Sequence, residues 1–224
     1  MISLGSLFSR QPAPLLGLDI SSSSVKLVEL GRDKAGNLVL ERCAIEPLER
    51  GWISDGNIEK FDEVADALRR LVKKSGAKTK NVAMALPPSA VITKKIILPG
   101  GMTDEELESQ VETEANQYIP FPLDEVSLDF CVIGPSATSA GDVEVLIAAS
   151  RREKVQDIQG LAEAAGLTPV VVDVESYASR LAAGRLIENL PNNGSGLIVA
   201  LFEIGALTTS MQVIRNEEVL YDRD

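Results

Sequence analysis

The chain has 224 residues, 45% of them hydrophobic, which is enough for the core of one large domain or two smaller ones and excludes a disordered chain. Its 22 basic and 33 acidic residues leave a net charge of -11, which opposes the phosphate contacts that drive nucleic-acid binding. Histidine is absent, so Ser-His-Asp and Cys-His nucleophile systems and most catalytic zinc sites are excluded. Chemistry here must run on carboxylates, hydroxyls, lysines and an oxygen-held metal.

The first residues, MISLGSLFSRQPAP, lack a basic start and are too briefly apolar for a secretory signal, so residues 1–14 read as a flexible tail. The longest apolar runs are broken by Glu203 or Asp173, well short of the roughly 18 residues of a spanning helix. Residues 15–20, 25–30 and 38–45 read as strands of an antiparallel meander, joined by a serine patch and by the turn around Gly36. Phe61, Val64, Leu68, Leu71 and Val72 mark the apolar face of a helix ending at Gly76, and NVAMAL at 81–86 is a buried strand. Cys43 and Cys131 lie far apart in strand-like apolar contexts and read as reduced core thiols.

From Pro87 to Gly166 the pattern changes. A strand at 91–98 precedes the capping box Thr103-Asp-Glu-Glu106 and a helix whose apolar face is Leu107, Val111, Ala115 and Tyr118, stopped by Pro120 and Pro122. Strands at 126–133 and 143–149 follow, then a helix lined by Val155, Ile158, Leu161, Ala162 and Ala165 and closed by Gly166. The acidic face of the first of these helices, with Glu105, Glu108, Glu112 and Glu114, reads as solvated surface. A strand at 169–174, a helix at 176–188 and a second meander from Leu197 to Tyr221, with a tight turn at Asn216-Glu217, complete the chain.

The second meander opens as the first does. LLGLDISSSSVKLVEL and LIVALFEIGALTTSMQVI each run apolar, acid, small or hydroxyl residues, apolar, which points to two related halves that each begin with a polar-tipped hairpin. The divisions read as 15–86 and 167–190 for the first half, 87–166 for an inserted subdomain, and 191–224 for the start of the second half. In the first hairpin, Ser22, Ser23 and Ser24 offer N-H and hydroxyl donors to an anion, Lys26 adds a charge, and Asp19 suits Mg2+. In the second, Glu203 is the acid, and Gly205, Thr208 and Thr209 form the tip.

On these residues the chain resembles the superfamily of actin, the heat-shock chaperone ATPases and the sugar kinases. The resemblance implies an α/β, actin-like (RNase H-like ATPase) fold of duplicated β-meander and helix units. It implies that the two hairpins are phosphate motifs holding ATP and Mg2+, with metal-directed acids at Asp19 and Glu203. It also makes Glu175, in Asp173-Val-Glu175-Ser176, the candidate that positions water if hydrolysis occurs. The chain is more closely similar to the PilM family, FtsA-like actin homologues of type IV pilus assembly. That similarity runs through GLDISSSSVKLVEL, ALPPSAVITKKIILP, EANQYIPFPLDEVSLDF, VLIAASRREKVQDIQGLAEAAGLTPVVVDVESYA and FEIGALTTSMQVIRN, of which YIPFP is the most specific.

The family resemblance makes residues 87–166 an FtsA-type α+β subdomain. It implies a groove beside that subdomain for the cytoplasmic N-terminal peptide of PilN, with Val91, Ile92, Tyr118, Ile119 and Phe121 as candidate contacts. Tyr118 and Phe121 read equally well as core residues closing their helix. Other pilus assembly proteins are further implied partners, and the location is cytoplasmic, peripheral to the inner membrane through the partner. Against the superfamily pattern, Ser21 stands where glycine is usual, Glu203 where aspartate is usual, and Leu207 where a small residue is usual. The adenosine motif is missing, so the second half reads as incomplete, the chain as C-terminally truncated, and nucleotide binding as weak in this length. Two other readings are an active actin-like ATPase or kinase, and the cytoplasmic domain of a GspL-type type II secretion protein without nucleotide role. GspL proteins lack an intact first phosphate motif, whereas DISSSSVK is present here.

Overall fold

The computed structural model describes residues 14–216 and 218–223; the expected tail, apart from its last residue, and Glu217 of the expected turn lie outside them. Two compact units form, one from residues 14–85 with 159–172 and one from 86–158 with 173–223.

In the first unit β1 (Leu16–Ile20), β2 (Ser24–Arg32) and β3 (Leu38–Pro47) form the expected meander. A short hairpin follows, β4 (Ile53–Ser54) with β5 (Asn57–Ile58), and then α1 (Phe61–Ser75) and β6 (Asn81–Leu86). The short hairpin was not read from the sequence, although its signal was there: Asp55 (φ 49) and Gly56 (φ 73) both take the left-handed backbone that a two-residue Asp-Gly turn requires. β6 runs parallel to β1, as a strand reached through a helical crossover does.

Helix α1 forms where apolar spacing and charge agree. Val64, Ala65, Ala67, Leu68 and Leu71 are buried, Asp62 and Glu63 sit in the first turn, Lys73 and Lys74 in the last, and Gly76 (φ 63) ends it. Phe61, expected on the buried face, is 40% exposed, since the first residue of a helix has no preceding turn to cover it; a Cβ placed on Gly160 would lie 3.6 Å from its ring. In β2 the period-2 alternation turns Val25, Leu27 and Glu29 inward, and the Glu29 carboxylate accepts from Arg42 Nη1 at 2.9 Å across the strand pair.

In the second unit β7 (Val91–Pro99) precedes α2 (Asp104–Tyr118), and β8 (Val126–Pro135) and β9 (Asp142–Arg151) complete an antiparallel sheet in the order β7-β9-β8. Its core is Ile96, Leu98, Leu107, Val111, Ala115, Ile119, Val126, Val145, Ile147 and Ala149. The stripe on α2 therefore runs at strict four-residue steps, 107, 111, 115 and 119, rather than ending on Tyr118. The capping box forms as read: Thr103 N–H donates to Glu106 Oε2 at 2.8 Å, and Glu106 N–H donates to Thr103 Oγ1 at 3.3 Å. These bonds to Thr103, the backbone one foremost, hold the Glu106 carboxyl below its ordinary value. Thr103→Ala should cost about 1 kcal/mol of stability, read as a lower urea midpoint at unchanged slope.

α3 (Arg152–Ala164) leads into β10 (Thr168–Val174), which neighbours β6 and completes the first unit's sheet in the order β10-β6-β1-β2-β3. After α4 (Glu175–Ile187), β11 (Ile198–Ile204), β12 (Thr209–Arg215) and β13 (Glu218–Arg223) form the second meander. Asn216 (φ 47) makes its last turn and accepts from Gly196 N–H at 2.8 Å.

Within the second unit Lys95 of β7 donates to Glu218 of β13 at 2.7 Å. That bond raises the Lys95 ammonium above its ordinary 10.5 and lowers the Glu218 carboxyl below its ordinary 4.5. The depressed acid contributes stability above pH 4.5 that is lost as pH falls through its folded value, and the raised base contributes below pH 10.5 and loses it as pH rises through its own. Glu218→Gln should lower the unfolding midpoint slightly at pH 7, and wild type and variant should converge in strong acid and in high salt. Thermal unfolding at several pH values checks it.

The two cysteines correct the sequence reading. Cys43 and Cys131 are free thiols but exposed, not core, because strand alternation turns each outward: Cys43 pairs with exposed Val28, and Cys131 with Leu146, off the face that buries Val145 and Ile147.

Candidate functional site

The first hairpin pairs Leu16 with Glu29 through Ile20 with Val25, so Asp19 stands directly opposite Lys26. Lys26 Nζ donates to Asp19 Oδ2 at 2.5 Å and to Ser21 Oγ at 3.3 Å. Ser21 closes the tip, its backbone N–H (3.0 Å) and its hydroxyl (2.9 Å) both donating to the Ser24 carbonyl. The structure thus brings Asp19, Ser21 and Lys26 together and leaves Ser23 exposed and Ser22 half-buried, whereas Ser24 is only 7% exposed. Ser21 stands where the superfamily usually has glycine, and nothing in the sequence marks its two hydrogen bonds across the tip.

The second hairpin repeats this geometry residue for residue. β11 and β12 pair Ile198 with Arg215 through Ile204 with Thr209, Glu203 stands opposite Ser210, and Gly205 N–H donates to the Thr208 carbonyl at 2.9 Å. In both tips the acid is followed two residues later by a backbone donor that bonds the carbonyl three residues further on, so Asp19, Ser21, Ser24 and Lys26 correspond to Glu203, Gly205, Thr208 and Ser210. Glycine relieves a tight approach here: a Cβ at Gly205 would lie 3.0 Å from the Thr208 carbonyl oxygen. The charge differs, because the position of Lys26 is a serine in the second copy. Thr208 and Thr209 are exposed, and Leu207 projects with 62% exposure.

Glu203 is instead held from a neighbouring helix. Ser179 Oγ, on α4, donates to Glu203 Oε2 at 2.9 Å. Glu175 is the first residue of α4, half-buried, one turn before Ser179 and on the same helical face. Gln212, 3% exposed on β12, donates its Nε2 to the Ser176 carbonyl at 2.9 Å, and its Oε1 is a buried acceptor without a partner among the described residues. Neither Ser179 nor Gln212 was legible as a site residue, since each meets its partner 24 or 36 residues away.

Among the described residues no group of three or more His, Cys, Asp or Glu converges into a protein-built metal cage. Each hairpin offers a single carboxylate, Asp19 in the first unit and Glu203 in the second, which suits the one-carboxylate share that a protein gives to Mg2+ held mainly by water and phosphate oxygens. Lys26 with the serine tip fits a phosphate, and the glycine-closed second tip with Thr208 and Thr209 fits another.

At the end of α2 the candidate groove residues separate. Tyr118 is 45% exposed with Lys94 Nζ 4.8 Å from its ring centre, so the expectation that helical spacing buries it is overturned: Ile119, at 8%, takes the core position. Phe121 packs partly against the core, with the Arg151 guanidinium 4.5 Å over its ring. Val91 and Ile92 are half-buried. Among the described residues no helix is long and apolar enough to cross a membrane.

A meander sheet with a parallel β1–β6 pair, two hairpins of one pattern and the antiparallel sheet β7-β9-β8 define an actin-like α/β protein. The chain is similar to one solved in a PilM-PilN type IV pilus biogenesis complex, with 33% identity over 93% of this chain and a TM-score of 0.76. This chain spans 60% of that one. It shares its fold with the cytoplasmic domain of EpsL, an inner membrane component of the type II secretion system of Vibrio cholerae, at 12% identity over 90% of this chain and 68% of that one, with a TM-score of 0.51. The pattern of the type IV pilus assembly protein PilM family matches residues 17–224, and the chain belongs to that family.

Proposed function

We propose that the chain acts as a cytoplasmic scaffold of the type IV pilus inner-membrane platform, binding the N-terminal peptide of PilN and taking Mg·ATP, weakly in a chain of this length, as a conformational ligand. The observation that carries this reading is its 33% identity and TM-score of 0.76 to a chain of a PilM-PilN complex. The β7-β9-β8 sheet and α2 of the second unit supply the peptide surface, where exposed Tyr118 and half-buried Val91, Ile92 and Phe121 offer apolar contact flanked by Lys94 and Arg151. Location at the membrane then comes through the partner, and further pilus proteins assemble on the same scaffold.

The two matched hairpins support the nucleotide role. Lys26 and the serine tip bind phosphate, Asp19 and Glu203 direct Mg2+, and Glu175 positions water in whatever slow hydrolysis occurs. A ligand that binds one arrangement of the units better than another shifts their equilibrium and thereby partner affinity. The test is calorimetric titration of Mg·ATP, with and without a peptide copying the PilN N-terminus. Saturable, Mg-dependent binding that changes with peptide supports the full reading; peptide binding without nucleotide binding reduces it to recruitment alone, and loss of both overturns it.

A further inference from the structure

The two hairpins share one backbone pattern at the tip and differ in what holds the acid. Asp19 is ion-paired within its own hairpin to Lys26, whereas Glu203 faces Ser210 and accepts from the neutral Ser179 hydroxyl of α4. A hydrogen bond to one oxygen of a carboxylate fixes the plane of the group and so orients its other oxygen. That is the condition in which a single acid contributes best to a divalent cation.

The helix supplying the hydroxyl is tied to the same hairpin a second time. Gln212 of β12 is almost fully buried, and its amide nitrogen bonds the Ser176 carbonyl, three residues before Ser179. The amide orientation is set by that carbonyl, which accepts only from the NH2 group. Its buried oxygen carries a desolvation cost that an apolar side chain would avoid, so glutamine is an expensive choice for packing alone. Both strands of the hairpin are therefore bonded to the first turns of α4, the helix that begins with Glu175.

We propose that Ser179 is the positioning residue of the second hairpin: its hydroxyl orients the Glu203 carboxylate toward Mg2+, with Gln212 fixing the first turn of α4 from which it projects. The inference rests on the nucleotide reading above and adds that the metal-dependent part of binding is set from α4.

The test compares ATP binding by the chain in Mg2+ with binding in EDTA, for wild type, Ser179→Ala and Ser179→Thr. Alanine is a good helix former, so the helix persists. Loss of one hydrogen bond to a charged group should lower the Mg2+-to-EDTA affinity ratio about tenfold in Ser179→Ala, leave EDTA binding unchanged, and be restored in Ser179→Thr. Mg·ATP should also slow amide exchange in the first two turns of α4 in wild type but not in Ser179→Ala. A wild type that binds Mg·ATP with a ratio unmoved by Ser179→Ala, or an equal loss in Mg2+ and EDTA, overturns the inference while leaving the nucleotide reading intact. A wild type that binds no ATP under either condition overturns the nucleotide reading and this inference with it.

Discussion

Leu71→Ala should lower the stability of the first unit by about 3 kcal/mol, within the range of about 2–5 kcal/mol for large-to-small core changes. Leu71 is 0% exposed on α1, which packs on β2 and β3 and so stands behind the first hairpin. Alanine keeps the helix propensity, so the cost is the lost burial plus the cavity, not a weakened helix. Lys73→Ala, on the exposed face of the same helix, should stay within about 0.5 kcal/mol and serves as the control. Urea unfolding monitored by circular dichroism and by amide exchange in α1 distinguishes local loss in this unit from loss across the chain. A Leu71→Ala protein as stable as its control would mean that α1 does not hold the sheet as described.

On the nucleotide reading, Lys26→Ala should weaken ATP binding about 10- to 100-fold, the loss of one or two charge-assisted bonds to phosphate. The geometry adds a second effect of the same sign. Asp19 is paired with Lys26 across the strands, and removing the lysine leaves an uncompensated carboxylate facing the phosphates. Asp19→Asn should act in the opposite sense without metal: it frees Lys26, so ATP binding in EDTA improves or holds while the gain from Mg2+ shrinks. Both variants should fold, because the two side chains are about half exposed and a surface pair of this kind contributes little to stability. Equal affinities for wild type and Lys26→Ala would remove the first hairpin from any phosphate site.

What was legible in the sequence was local. Strand alternation in β2, the stripe and Gly76 stop of α1, the Thr103–Glu106 box and the repeated acid-to-hydroxyl pattern involve residues a few positions apart, whose geometry follows from backbone periodicity alone. The matched register of the two tips, Asp19 opposite Lys26 and Glu203 opposite Ser210, came only with the strand pairing. Where a local rule allowed two outcomes, packing chose: either Tyr118 or Ile119 continued the α2 stripe by spacing, and the four-residue ladder from Leu107 took Ile119. Strand propensity placed Cys43 and Cys131 in strands but could not say which face would be covered. The partners of Glu203 and Ser176, 24 and 36 residues distant, were decided only by how α4 lies against β11 and β12, because a hydroxyl or amide carries no sequence mark of the acceptor that folding brings within 3 Å.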